Sequence, residues 1–184
     1  MSNHKLKVIV HVSAYYPPHI GGLERVAKIS AEKLAKKGYK VRVITSSSSG
    51  IKKGIEQKDN INVIALWSFE FAHTPIAPTL LWHLLMLPYN SLIHLHLAHA
   101  YYPELVLFVS NLRRIPYIAH FHLDVEPSGF FGPLFVLYKK IVWAPVLQNA
   151  SMVIACSQEQ ALVVKHKFGV KKENIVVIAN AVSE

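Results

Sequence analysis

Two glycines and a set of histidines are the residues of this chain whose type and spacing point to chemistry. Gly21 and Gly22 follow an apolar segment at 6–12 and precede a helical pattern. A glycine turn at a helix N-terminus gathers free backbone N–H groups and the positive end of the helix dipole, and no Cβ keeps a ligand away. The pair therefore predicts a phosphate-type anion site, although a plain strand-to-helix loop fits the same residues.

The histidines cluster at or near the ends of two later apolar segments: His94, His96, His99, His120 and His122. Imidazole exchanges protons near neutral pH and also binds zinc. Residues two apart on a strand share a face without having to converge on one ion, and no cysteine accompanies the histidines, so we expect no metal site.

His122 and Asp124 are the candidates for direct work on a substrate. His122 ends its apolar segment, and a neutral imidazole there would orient a substrate hydroxyl. Asp124 lies two residues further on, where it would either accept a proton from a substrate hydroxyl or cap the following loop. Glu24, in the first turn of the predicted helix, is interpreted either as a cap or as a substrate contact.

The composition favours one globular domain and excludes several classes of protein. The chain has 184 residues, 52% of them hydrophobic, and a single cysteine, Cys156. One cysteine fits a reducing compartment, and the N-terminus carries no signal-peptide pattern, so we expect a cytoplasmic location. The net charge is +9, but twelve of the twenty Lys and Arg precede residue 59 and none lies between Asp59 and Leu112. A nucleic-acid partner would favour a continuous basic stripe, so we expect none.

Seven apolar segments alternate with helix-length segments and predict the fold. The strands are expected at 6–12, 40–45, 61–66, 91–97, 116–121, 152–156 and 175–178, and the clearest helices at 23–37, 101–114 and 158–168. This alternation predicts an α/β fold with a doubly wound, mainly parallel Rossmann-like sheet flanked by helices. In the usual strand order 3-2-1-4-5, the binding crevice lies between strands one and four, which brings residues 13–22 near His96 and His99, with His122 one strand further along.

Several motifs carry a resemblance to a known family. Tyr-Pro-Pro-His-Ile-Gly-Gly-Leu-Glu-Arg at 16–25 resembles the opening of the retaining GT-B glycosyltransferases of family 4. Further motifs follow in order: Lys-Gly-Tyr-Lys-Val at 37–41, Ser-Leu-Ile-His-Leu-His at 91–96, the Pro-containing strand that ends in His122, and the segments at 153–159 and 175–182. Ala181 stands where the family usually has glycine, and Ser91 where an aspartate usually begins the strand.

The resemblance implies a function and an incomplete enzyme. It implies sugar transfer from a nucleotide-sugar donor with retention, Gly21 and Gly22 facing the donor diphosphate, His122 beside the transferred sugar and no metal or other cofactor. Residues 1–184 would form the single N-terminal, acceptor-side domain, without the C-terminal donor-binding domain, so the isolated chain is expected to be inactive or nearly so. Glu24, His96, His99 and Asp124 are acceptor-side candidates.

Three alternatives stay open on sequence grounds. The chain would otherwise be a non-catalytic binding module, or a subunit that needs a partner chain for the donor half. A third possibility, a relative of the sugar-nucleotide epimerases, is disfavoured by the Gly-Gly-Leu-Glu-Arg loop.

Two surfaces also allow two interpretations each. The lysines of the first helix form either a solvated face or a surface for an anionic membrane. The aromatic segment 130–146, with Lys139 and Lys140, packs either in the core or at that membrane, where a lipid-linked acceptor would lie.

Overall fold

An eight-stranded sheet forms the centre of the protein, for which a computed structural model describes residues 8–52, 54–71, 74–124 and 136–180. Its order is β10-β9-β8-β7-β1-β2-β4-β3, and a separate hairpin pairs β5 with β6. The strands are β1 Val8–Val12, β2 Lys40–Ser46, β3 Gly54–Lys58, β4 Ile61–Leu66, β5 Phe69–Phe71, β6 Thr74–Ile76, β7 Ser91–Leu97, β8 Tyr117–Phe121, β9 Met152–Ala155 and β10 Ile175–Val177. Every pairing in the large sheet is parallel except β3 with β4.

The helices confirm the doubly wound arrangement. They are α1 Gly22–Lys36, α2 Leu80–Leu85, α3 Tyr102–Arg113, α4 Ala144–Asn149 and α5 Gln158–Phe168, with a π-helical turn at Lys139–Trp143. Helix α5 begins where Ser157 Oγ accepts a hydrogen bond from the Gln160 amide at 3.2 Å and ends at Gly169, whose φ of 69° is left-handed. Local cap residues therefore set this helix as the sequence predicts.

The central strands confirm the expected order, on which the predicted location of the crevice depends. The five strands β4-β2-β1-β7-β8 have the predicted 3-2-1-4-5 arrangement. The strand order reverses between β1 and β7, because α1 leads from β1 to one side while the chain returns to the other side for β7. Ligand sites in such sheets lie beyond the carboxyl ends of the strands at this point.

The two faces of the sheet have different cores. On one face, Ile93, Leu95, Leu97 and Phe121 are fully buried and pack with residues of α3 and α4 and with Trp143. On the other, a stripe of alanines in α1 lies against β2 and β4: Ala27, Ala31 and Ala35. Side chains alternate along a strand, so His94 and His96 share this second face.

The structure separates the two lysines of the aromatic segment, for which the sequence leaves both the core and a membrane surface open. The Lys139 side chain is 3% exposed and its Nζ lies 2.6 Å from Asp124 Oδ1, whereas Lys140 is exposed. Trp143 and Val146 are buried, so this part of the aromatic segment belongs to the core; residues 130–135 lie outside the described ranges. None of the helices in the described part of the chain has the length and apolar character that crossing a bilayer requires.

Candidate functional site

Beyond the carboxyl end of β1, aromatic and acidic side chains gather beside the strand switch point. The Tyr15 ring stacks on the His19 ring with centroids 4.3 Å apart and meets the His99 ring edge-on at 5.1 Å. His19 Nδ1 lies 3.1 Å from Oε1 of Glu24, which is buried in the first turn of α1. The switch point thus brings the predicted residues Glu24 and His99 into one group, together with Tyr15 and His19, which the sequence did not single out.

The two glycines lie in different surroundings. A Cβ at Gly21 would overlap Oε2 of Glu24, because the carboxylate folds back over that residue, while the Cβ position of Gly22 has no atom within 4 Å. The acidic side chain therefore occupies the space at Gly21 and leaves Gly22 open. A phosphate would be repelled close to the Glu24 carboxylate. The phosphate role of both glycines stays a prediction, and the open position is Gly22.

A ladder of five histidines crosses three neighbouring strands: His11, His94, His96, His120 and His122. Three close pairs link them: His11 Nδ1 to His96 Nε2 at 3.0 Å, His96 Nδ1 to His122 Nε2 at 3.1 Å, and His94 Nε2 to His120 Nδ1 at 3.3 Å. His11 was not predicted as a site residue. It joins the ladder because the pairing of β1 with β7 places it opposite His94. His96 is 3% exposed, which leaves little of its surface for a direct acceptor contact.

Burial makes the ladder neutral. Loss of water contact, with the nearby His120 as a second cause, lowers the pKa of His11 and of His122 to about 3. Burial alone lowers the pKa of His120 to about 4, and burial followed by repulsion from neighbouring histidines lowers the pKa of His94 and His96 well below the usual value. At pH 7 all five imidazoles are therefore neutral, with one N–H each. In a close pair the N–H of one ring can donate to the unprotonated nitrogen of the other ring.

The comparison with family profiles decides what kind of domain carries this crevice. Residues 20–184 match Glycosyltransferase Family 4. The chain belongs to this family. A search among curated proteins found no match.

Solved structures place this family 4 domain in the GT-B fold. HepE from Anabaena in complex with UDP-glucose aligns at a TM-score of 0.63 and 18% identity, over 95% of this chain and 44% of that chain. A glycosyltransferase from Rickettsia africae ESF-5 gives 0.59 and 16%, over 95% and 43%. MurG from Acinetobacter baumannii gives 0.54 and 13%, over 96% and 47%. At these identities the likeness concerns the fold, and the chain spans less than half the length of the proteins it resembles.

Asp124 has a structural environment in this family 4 domain. Its carboxylate pairs with Lys139 and with Lys167, joining the end of β8 to the π-helical turn and to α5. Burial acts to raise the pKa of Asp124, but hydrogen bonds and charge from the two lysines outweigh it and lower the pKa overall. A carboxylate held in this way is a weak proton acceptor. The acceptor-side role of Asp124 remains a prediction. The two ion pairs favour a structural role, in which Asp124 holds the π-helical turn and α5 against the end of β8.

The histidine face also borders a large groove between α1 and the sheet. The groove has a volume of about 660 Å³ and combines an apolar floor with two ladder residues, His94 and His120. Its floor comes from Ile9, Ile118 and Ile154, and its rim includes Lys33 and Lys37. Helix α1 therefore covers only part of this face.

Proposed function

We propose that this domain is the acceptor-side half of a retaining glycosyltransferase that moves a hexose from a nucleotide-sugar donor to an acceptor. The observation that carries the proposal is the strand switch point between β1 and β7, beside which the open Gly22 begins α1 and His122 follows β8. Membership of the family supports the reaction class. The UDP-glucose bound by HepE supports a UDP-sugar as the first donor to test.

Gly22 would receive the donor diphosphate. Its backbone begins α1, where unsatisfied N–H groups and the helix dipole favour an anion, and the space beside it is open. The Glu24 carboxylate is turned away over Gly21 and held by His19. This arrangement limits the repulsion between Glu24 and a phosphate at Gly22, which a free carboxylate in the same helical turn would increase.

His122 would orient a hydroxyl of the transferred sugar. Its pKa of about 3 keeps the ring neutral at pH 7, because burial and the neighbouring His120 disfavour the imidazolium. A base with so low a pKa is poorly matched to proton abstraction at neutral pH. The neutral ring can still accept or donate one hydrogen bond, so its contribution is positioning of the sugar and needs no charge.

The remaining parts of the proposal concern what completes the site. A second, donor-binding domain would close over the crevice, which agrees with relatives more than twice as long as the matched region. Transfer itself would need no metal or other cofactor. The acceptor would be a sugar or a lipid-linked glycan, which the exposed aromatic side chains of residues 67–71 support, with Trp67 and Phe71 at 54% and 71% exposure. The exposed lysines of α1 would favour an anionic membrane surface on the cytoplasmic side.

The test is a transfer assay on the longest natural chain that contains these residues, with UDP-glucose and a panel of glycan and lipid-linked acceptors. His122→Ala should lower kcat more than tenfold, about 1.4 kcal/mol or more of transition-state stabilisation. His166→Ala, on the exposed side of α5, is the matched control and should leave kcat unchanged. NMR of the product should show the donor's anomeric configuration. Normal turnover by His122→Ala, or inversion, would contradict the proposal.

A further inference from the structure

We propose that His96, His120, His122 and Cys156 form a transition-metal site, with Zn²⁺ as the best-fitting ion. The proposal begins with the ladder, where one ring nitrogen from each of the three histidines lies within 4.8 Å of the others. Residue spacing does not predict this convergence, because His96 lies on β7 while His120 lies on β8 and His122 follows it. The strand register brings them together, since His96 is the direct partner of His120.

Cys156 supplies the fourth ligand. Its Sγ lies 3.6 Å from His120 Nε2 and 3.9 Å from His122 Nδ1. In a tetrahedral zinc site, with Zn–N near 2.0–2.1 Å and Zn–S near 2.3 Å, the ligand nitrogen and sulfur atoms are about 3.6 Å apart. His122 faces His96 with Nε2, 3.1 Å from His96 Nδ1, but it faces Cys156 with Nδ1. Because one ion takes only one nitrogen of His122, the His122 ring and the Cys156 side chain would have to turn so that both neighbours meet the same nitrogen.

The ligand types suit a cation. Metal ligands must present a free lone pair, which neutral imidazole and thiolate both do. A bound dication would deprotonate the Cys156 thiol and retain a thiolate, which reduces the charge buried in the site from +2 to +1.

The ligand types select among ions. The two histidine triads found in the described residues contain nitrogen ligands only, and Mg²⁺ and Ca²⁺ prefer oxygen. Imidazole with thiolate favours zinc and its neighbours in the first transition series. His122 and Cys156 are both partly exposed, which gives an ion a route to the buried His96 and His120.

Occupation of the site would also affect the proposed transfer reaction. This consequence rests on the proposed function, since it assumes that His122 orients the sugar. A metal-bound His122 has one nitrogen withdrawn, so Zn²⁺ would act as an inhibitor of an enzyme whose transfer chemistry needs no metal. Metal binding itself is measured without any activity assay, so failure of the sugar-transfer proposal and failure of the metal site can be told apart.

The test uses the 184-residue chain, stripped with chelator and titrated with Co²⁺ as a spectroscopic probe, followed by displacement with Zn²⁺. We expect one ion per chain, a tetrahedral visible spectrum and a sulfur-to-cobalt charge-transfer band. His120→Asn should weaken Co²⁺ binding at least tenfold, with His166→Asn on exposed α5 as the matched control. Cys156→Ser should remove the charge-transfer band, and circular dichroism checks that each variant is folded.

Three results would overturn the metal site. The first is a folded wild-type chain that binds no Co²⁺ or Zn²⁺ after chelator removal. The second is a His120→Asn variant that binds as tightly as His166→Asn, which would place the ion elsewhere. The third is a Cys156→Ser variant with an unchanged spectrum, which would remove the thiolate from the ligand set.

Discussion

The two faces of the sheet are buried with different kinds of side chain, apolar on one face and partly imidazole on the other. The face under α3 and α4 buries large apolar side chains such as Phe121 and Trp143, whose area removed from water stabilises the fold directly. The face under α1 buries a row of imidazoles, which hydrogen-bond one another in close pairs, while His11 Nε2 has no hydrogen-bond partner among the described residues. The first face is therefore stabilised mainly by apolar burial, whereas the second also holds buried polar groups, which cost free energy unless they are hydrogen-bonded.

The largest effect is expected on the apolar face. Trp143 is fully buried, and its ring packs against Phe121 and Phe168 with centroids 6.2 and 6.3 Å apart. Trp143→Ala should lower the free energy of unfolding by about 3–5 kcal/mol, through lost burial and the cavity left behind. Trp82→Ala is the control because Trp82 is 63% exposed, and it should cost less than about 0.5 kcal/mol. Urea unfolding measures both; equal losses would remove the contrast between buried and exposed tryptophan.

The histidine face should make stability depend on acid. The folded pKa values of His11, His120 and His122 are about 3, 4 and 3, below the unfolded value near 6.5. The unfolded chain therefore binds protons first, so the stability contributed by neutral imidazoles is complete above pH 6.5 and is lost as the pH falls toward 4. Each group should contribute a loss of a little over about 1 kcal/mol at pH 5.5, and the three together about 4 kcal/mol.

Urea unfolding between pH 7.5 and 5, with chelator present, measures this dependence. His11→Leu should make the slope of stability against pH shallower by the protons of one histidine. His166→Leu, at an exposed position, should leave the slope as in the wild type. A flat profile for the wild-type chain would mean that the ladder takes up protons without unfolding, against the neutral buried state described above.

One buried charge breaks the pattern of the apolar face. Lys139 is 3% exposed at its side chain and bonds to Asp124, and its Nζ also lies 5.3 Å from the centre of the Trp143 ring. Lys139→Ala should cost about 2–3 kcal/mol, less than the loss of an isolated buried pair, because Asp124 keeps Lys167 as a second partner. The exposed neighbour provides the control, and Lys140→Ala should be close to neutral in thermal unfolding. Similar losses for the two lysines would contradict a buried ion pair.

The elements with a clear local residue pattern were predicted from the sequence. The continuous Val, Ile and Leu runs predict β1, β2, β4 and β7 to β10, and the Ser157 cap predicts the start of α5. It missed β3 and the β5–β6 hairpin, because residues 54–58 have few apolar side chains and β5 and β6 have three residues each. Such strands exist through pairing with a neighbour and carry little periodicity of their own.

The candidate site was predicted less completely because it depends on register. Gly22, Glu24, His99 and His122 come from motifs and from the strand order, and their roles stay predictions. The ladder did not follow from spacing, since His11 and His96 are 85 residues apart in the chain and meet only through the pairing of β1 with β7. The sequence left the core and a membrane surface open for Lys139, because its partner Asp124 lies outside any local helical spacing. Both the ladder and the burial of Lys139 depend on contacts between residues that are far apart in the chain. Such contacts cannot be derived from the residue pattern of a single sequence.

The smallest structural effect is expected at the start of α1, at the paired glycines. In Gly21→Ala the new Cβ would displace the flexible Glu24 carboxylate from its place beside His19, which should cost less than about 1 kcal/mol. Gly22→Ala meets open space in the first turn of α1, so its stability should be unchanged or slightly higher.

Donor binding should show the opposite order. In the longest natural chain, Gly22→Val should raise the KM for UDP-glucose more than Gly21→Ala, because its side chain would occupy the space proposed for the diphosphate while leaving stability nearly intact. Gly21→Ala would act indirectly, by releasing Glu24 toward the anion. Thermal unfolding and donor kinetics, both measured on Gly21→Ala and Gly22→Val, separate the effect on stability from the effect on donor binding. If Gly22→Val binds the nucleotide sugar normally, the anion site lies elsewhere and the open space at Gly22 is an ordinary helix start.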